Sequence, residues 1–508
     1  MSNADVIAIG LITLVSVAIG LWGTRVSRST SDFLVASRTV TPFWNASAIS
    51  GEYLSAASFL GIAGLVYLYG IDMLWYPIGY TVGYLVLLLF VAAPLRRSGA
   101  YTIPDFAEAR LESLAVRRVS AALVVIIGWL YLLPQFQGAG LTLSILTGAP
   151  DWVGKLVVAV AVIVSVVAGG MRSITFVQAF QFWFKLTAIA LPAITLLVVW
   201  YRDEGPAFAT EGWQVPLSGF GGRDLAVYTT ISLVVATFLG TMGLPHILVR
   251  FYTNPDGASA RRTTLVVLML LSAFYLFPPV IGALGRAYAP ALAATGQADV
   301  VVLVLPELVV PGPWGQLLTA LVSAGAFAAF LSTASGLAVS VAGVLSQDVL
   351  GQFGRSARRA HSGVRRFRQG TVIAVVVPLI LALAAGRLNI AETVAMAFAV
   401  AASTFCPLLL LGIWWPRLSV PGALAALIVG GTLAVTAVTS ALLLGPFTSW
   451  WGTLLIEPAA WSVPIAFAVA IVVSLLTPDR IPPHTRRTLA LLHTPEQLPE
   501  QGFTARNR

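Results

Sequence analysis

The chain runs to 508 residues, of which 58% are hydrophobic and only 10% charged, with a formal net charge of +9. Soluble domains carry about 25% charged residues, so this composition excludes a water-soluble protein of this size and makes lipid the solvent for much of its surface. The basic residues lie between apolar runs, which reads as membrane topology and not as nucleic-acid binding. The one cysteine, Cys406, excludes an intramolecular disulfide and a cysteine metal site.

A spanning helix needs about 20 mostly apolar residues. Runs of that kind predict about thirteen spans, at about 5–23, 43–70, 73–94, 117–146, 152–170, 174–200, 225–248, 263–289, 314–346, 371–387, 389–414, 420–444 and 458–477. Asp5 opens the first run and Arg25, Arg28 and Arg38 follow it, which predicts a retained helix with its N-terminus outside rather than a cleaved signal. Alternate loops then hold Arg96, Arg97, Arg110, Arg117 and Arg118, next Arg172, next Arg250, Arg261 and Arg262, next the cluster from Arg355 to Arg368, and next Arg417. The opposite loops hold only Lys155, Arg202, Arg223, Arg286 and Arg387. This bias is the positive-inside signature, and an odd number of spans puts the C-terminus in the cytoplasm. Residues 1–477 read as one transmembrane domain, and 478–508 as a polar, proline-rich cytoplasmic tail of loose structure. Low lysine with abundant Ala, Val, Leu, Gly and Arg points to a GC-rich bacterial source, hence a bacterial plasma membrane.

Two spans break the rules for a plain membrane helix. The second packs Ser47, Ser50, Gly51, Glu52, Ser55 and Ser58 into its middle, and the seventh carries Gly240, Gly243, Pro245 and His246. Proline removes a backbone donor and clashes with the preceding turn, and freed backbone groups survive in lipid only where protein or a cavity satisfies them. Paired interrupted helices in matching places of two halves point to a midplane binding site. Spans two to six and seven to eleven form such halves, five helices each and of opposite orientation. Small residues that merely allow close packing are the competing reading.

Isolated polar residues elsewhere carry weaker signals. Ser332 and Thr333 in the ninth span are adjacent hydroxyls that suit a hard cation, or that bond back to their own helix. Glu52 is an acid at bilayer depth, costly on insertion by about 2.5–3.5 kcal/mol, and serves either a proton or ion pathway or a structural pair. Lys185, about three turns inside the sixth span, either snorkels to the surface or serves a function inside the bundle. His246 is either a packing residue or a gating and proton-relay candidate. Gln135 and Gln137 serve either helix–helix hydrogen bonds or substrate.

These residues carry a family resemblance. Asp32-Phe33-Leu34 with Ser37-Arg38 resembles the entry motif of the sodium:solute symporters, and the match is closest to the cation/acetate branch. The other stretches that carry it are Gly51 to Gly61, Tyr101-Thr102 with Asp105, Gly240 to Phe251, Ser346 to Asp348, and Asn389-Ile390 with Ala397 to Ser403. The resemblance implies an all-α membrane protein of leucine-transporter type, with thirteen helices, a 5+5 inverted repeat and alternating access. It implies sodium as coupling ion, with no other cofactor, held by carbonyls near Gly51 and Leu54, the carbonyl of Ala329 and the hydroxyls of Ser332 and Thr333. Thr175, standing one turn before Gln178 where many members carry an acid, argues against a second sodium site. Leu244 and His246 stand where sugar carriers place a sugar-binding Asn and a gate Tyr, which argues against a sugar. The expected substrate is a small monocarboxylate such as acetate, held by Ser55, Ser58, Gln135 and Thr241 with Phe59 and Phe238 as the apolar wall. Pyruvate, propionate, an amino acid, urea or pantothenate are the alternatives, with proton in place of sodium as the other coupling ion. A transporter-like nutrient sensor is a further reading, and an enzyme is not expected, since no HExxH, DxD or Cys/His cluster lies in the spans.

Overall fold

The computed structural model of the chain describes residues 3–22, 36, 39–206, 213, 215–217, 225–295, 298–350, 360–385, 390–444 and 449–496. Asp32 to Leu34, Ser37, Arg38 and Asn389 of the resembling stretches lie outside the described residues, as does the chain beyond 496.

The first half comprises α1 (Asn3–Trp22), α2 (Pro42–Tyr53), α3 (Ile62–Tyr69), α4 (Trp75–Val86), α5 (Ala92–Arg97), α6 (Ile103–Leu111), α7 (Leu114–Thr147) and α8 (Asp151–Arg202). There follow α9 (Ala226–Gly243), α10 (Pro245–Phe251), α11 (Gly257–Phe274), α12 (Phe277–Tyr288), α13 (Val301–Val309), α14 (Pro313–Val344), α15 (Ala360–Ala384) and α16 (Ile390–Trp414). The chain closes with α17 (Val420–Leu444), α18 (Trp450–Ile456), α19 (Ala459–Leu476) and α20 (Thr485–His493). Among the described residues 11 helices are long and apolar enough to cross a membrane. Two of them, Ala57–Arg97 and Asp151–Arg202, carry two crossings each, because the backbone turns at Gly70 (φ 82°) and Gly170 (φ 57°). Both angles lie in the left-handed region, which glycine adopts without a Cβ clash. Thirteen crossings result, in agreement with the apolar runs.

Small residues set how closely the central helices approach. A Cβ on Gly51 would stand 2.1 Å from the Gln178 carbonyl oxygen, so α2 lies directly on α8. Cβ atoms on Gly240 and Gly243 would each stand 2.4 Å from a carbonyl oxygen of α16, those of Phe398 and Ala401. Helix association in lipid gains little from burying apolar surface, so close backbone contact supplies much of the cohesion.

Charged clusters close one end of the bundle. Thr102 and Asp105 form a capping box on α6. Arg117, in the first turn of α7, then gathers Asp105 (2.8 Å), Glu108 (2.5 Å) and Asp348. The Thr102/Asp105 stretch and the Ser346–Asp348 stretch therefore meet on one guanidinium. Arg110 is buried and donates to Gly412 O (2.8 Å), Trp415 O (3.2 Å) and Thr485 Oγ1 (3.1 Å). Burial pushes its guanidinium down to about 10, which still leaves it charged at neutral pH.

The tail differs from expectation. Residues 485–493 form α20, with Leu492 buried and its carbonyl accepting from Arg97 Nη1 at 3.3 Å. Glu496 reaches back to Arg97 Nε (3.3 Å) and to the Gly257 N–H (2.8 Å). Apolar side chains of the helix and these two arginine contacts dock a segment whose proline content alone predicts looseness.

Candidate binding site

The second span breaks after Tyr53. Leu54 (φ −73°, ψ 82°) leaves the helix, and regular turns resume with a π-helical stretch at Ala57–Gly61. Such a break frees carbonyls below it and N–H groups above it. Their partners come from three other helices. The Ala56 N–H donates to Gln135 Oε1 on α7 (3.0 Å). Thr333 Oγ1 on α14 donates to Glu52 O (2.5 Å). Lys185 Nζ on α8 donates to Leu54 O (2.8 Å), to Ser332 Oγ (2.9 Å) and to Gly51 O. The seventh span breaks at Leu244 (φ −73°, ψ 115°), and Pro245 occupies the first turn of α10, where its missing donor costs nothing.

Two predicted roles change here. Lys185 does not snorkel; its side chain is fully buried, because three acceptors at the break satisfy it more locally than distant water. Arg250 is not a loop residue. It is fully buried on α10 and forms an ion pair with Glu52 (Nε to Oε2, 2.7 Å). It also donates to Thr175 Oγ1 (2.8 Å) and to Gln178 Oε1. Gln178 in turn donates to Ser332 O (2.7 Å). Gly336 makes room for the carboxylate, since a Cβ there would stand 1.9 Å from Glu52 Oε1. Glu52 is thus half of a buried pair.

Beside the break lies a cluster of buried aromatic rings. Tyr53 packs edge-on to Tyr84 (centroids 4.9 Å) and Tyr80 (6.0 Å). Phe398 on α16 meets Tyr80 (4.9 Å) and Tyr131 (5.8 Å), and Tyr131 meets His246 edge-on (5.2 Å). Three expected substrate contacts sit on its rim. Thr241 Oγ1 bonds Tyr53 Oη (2.8 Å), Ser58 Oγ bonds Tyr275 Oη (2.9 Å), and Tyr131 Oη donates to Ser55 Oγ (3.4 Å). The hydroxyls of Tyr80 and Tyr84 and both ring nitrogens of His246 are buried with no hydrogen-bond partner among the described residues. Buried polar groups are normally paired, so these four atoms mark unsatisfied polar capacity.

Other predicted residues lie elsewhere. Phe238 is half-buried and lines an outer apolar groove with Phe90, Trp414 and Phe467, whereas Phe398 lies in the buried ring cluster. Phe59 is buried against Phe274 (6.2 Å). Gln137 serves helix packing, donating to Ala382 O (3.1 Å). The tyrosines and Phe398 carry no signal in the sequence, because each sits in an ordinary apolar run; only Tyr80 and Tyr84 at helical spacing hint at one face. Among the described residues no group of three or more His, Cys, Asp or Glu side chains is placed to hold a metal ion.

A model of the sodium:solute symporter family matches residues 33–430. The chain belongs to that family. Among curated proteins it is 34% identical to the Bacillus subtilis symporter YwcA over 471 residues, covering 89% of this chain and 90% of that one. It is 31% identical over 519 residues to the monocarboxylic acid transporter of Corynebacterium glutamicum, covering 94% and 92%. Among solved structures it resembles a Na+-coupled sialic acid symporter in a substrate-bound outward-open state, with a TM-score of 0.72, 14% identity and coverage of 93% and 98%. The fold is therefore of leucine-transporter type, and the chain is a multi-pass membrane transporter and not an enzyme.

Proposed function

We propose that this chain is a secondary symporter that couples entry of a cation to uptake of a small monocarboxylate such as acetate, by alternating access across the two broken spans. The carrying observation is the buried aromatic cluster beside the break, in which the hydroxyls of Tyr80 and Tyr84 have no partner among the described residues. Hydroxyl donors suit a carboxylate, which only accepts, and the close rings suit a short alkyl group. An amino acid fits less well. Its ammonium needs free acceptors, yet Arg250 holds Glu52, Lys185 holds the Gly51 and Leu54 carbonyls, and Thr333 holds the Glu52 carbonyl. The relative named a monocarboxylic acid transporter supports the substrate class. Membership of the sodium:solute symporter family supports a cation as the coupling species, with sodium the family's usual ion and a proton the alternative. The assigned substrate contacts are Ser55, Ser58, Gln135 and Thr241, joined by Tyr80, Tyr84 and Phe398, with His246 at the edge.

Counterflow tests the reading. Proteoliposomes loaded with unlabelled acetate should exchange labelled acetate faster than protein-free vesicles. Propionate and pyruvate should compete, and alanine and glucose should not. Tyr84→Phe should raise the half-saturating acetate concentration about tenfold or more, the effect of losing a hydrogen bond to a charged group. Competition by alanine or glucose, with none by propionate, would sink the assignment.

A further inference from the structure

The cation site that the family resemblance implies has five oxygen donors: the carbonyls of Gly51, Leu54 and Ala329 and the hydroxyls of Ser332 and Thr333. In this chain three of them, Gly51 O, Leu54 O and Ser332 Oγ, already accept from Lys185 Nζ. The remaining two are also engaged, since Ser332 Oγ donates to Ala329 O (3.0 Å) and Thr333 Oγ1 donates to Glu52 O (2.5 Å). An ammonium carries three donors and no acceptor. It therefore matches these three oxygens one for one, as a small bound cation would.

We propose that Lys185 supplies a tethered cation in the place where family members would bind sodium, so that this site takes no sodium while the lysine is present. The oxygens suit a hard cation, yet the residues present do not fit sodium. A sodium ion within reach of Gly51 O, Leu54 O and Ser332 Oγ would lie against a group of like charge in a dry interior, where repulsion is strong.

The surrounding packing is arranged to deliver the lysine. Gly51 lets α2 lie on the α8 backbone near Gln178, one helical stretch before Lys185. Gln178 ties the same two helices to α14 through Ser332 O (2.7 Å). The side chain and its ammonium end are fully buried, so the contact is part of the interior. Nearby, Glu52 and Arg250 are committed to each other, and α14 carries no charged side chain between Pro313 and Val344. The ammonium thus joins spans two, six and nine, the role a bound ion would play between the two broken-helix halves.

This inference rests on the reading of the chain as a cation-coupled symporter, but its test reads binding and not transport. Thermal unfolding of the purified full-length protein is followed in sodium chloride and in choline chloride of equal ionic strength. A ligand that binds only the folded state raises the midpoint by mass action. The wild type is expected to show the same midpoint in both salts. Lys185→Ala, with the five oxygens released, is expected to unfold at a higher temperature in sodium than in choline. A wild-type rise in sodium that Ser332→Ala abolishes overturns the proposal, as does a folded Lys185→Ala protein that is blind to sodium. Should Lys185→Ala fail to fold, Lys185→Met replaces it, and retention of radioactive sodium by the wild type but not by Ser332→Ala overturns the proposal without either lysine variant. Failed acetate counterflow would remove the substrate assignment and leave this binding result untouched.

Discussion

Glu52 and Arg250 illustrate how much a single buried charge depends on its partner. Both are fully buried, 2.7 Å apart. Removing one member of such a pair leaves an uncompensated charge and costs about 3–5 kcal/mol. Glu52→Gln should therefore lower the unfolding midpoint sharply, whatever it does to uptake, and Glu52→Gln with Arg250→Met should recover much of the loss. Equal midpoints for wild type and Glu52→Gln would show that the pair carries no structural weight. From the sequence, Glu52 stood out because an acid at bilayer depth needs a reason. Its partner did not, since an arginine at a span's end looks like a topology marker until the chain's path turns it inward. Lys185 was visible for the same reason as Glu52, but its target was not. Only the break after α2 frees the carbonyls it binds, and which helix then faces those carbonyls is set by packing that no sequence spacing reports.

At the scale of elements, the two interrupted spans were legible because glycine, serine and proline crowd where a plain membrane helix would be leucine and valine. Their partners were less so. Thr241 and Tyr53, or Gln135 and Ala56, are brought together by helix packing over long sequence separations, and no spacing rule reports it. The glycines of α9 make the packing testable. Gly240→Ala and Gly243→Ala each drive a Cβ into a carbonyl oxygen of α16 at 2.4 Å. Overpacking of this kind costs about 1–3 kcal/mol. Because the contact is to backbone, no side chain can rotate away. Both variants should lose midpoint stability and transport together, measured on the same preparation. Gly148→Ala is the control for crowding at a glycine, having open space around it but a strained φ of 70°. Full stability in Gly240→Ala would mean that α9 and α16 can separate at no cost.

For the whole molecule, the apolar runs and the placement of arginines carried most of the fold. The turns at Gly70 and Gly170 show why a count of continuous helices falls below the count of crossings. By the positive-inside bias the N-terminus is expected outside and α20 in the cytoplasm. Cys406 is the only cysteine and is buried, so a Cys406→Ala background allows single-cysteine labelling. Tyr201→Cys, at an 82% exposed position ending α8, should react with an impermeant reagent added to intact cells. Arg480→Cys, after the last span, should react only once the membrane is opened. The reverse pattern would invert the topology.

Coupled uptake is the property on which the account stands or falls. The most direct measurement is initial uptake of labelled acetate into proteoliposomes under an imposed gradient at clamped voltage, less that of protein-free vesicles. With Lys185 in the place of sodium, an inward proton gradient is predicted to raise the protein-dependent initial rate above that without a gradient, and replacement of sodium by choline should leave the rate unchanged. Accumulation that needs sodium would contradict the assignment of Lys185, and no accumulation under either gradient would contradict the symporter for small monocarboxylates itself.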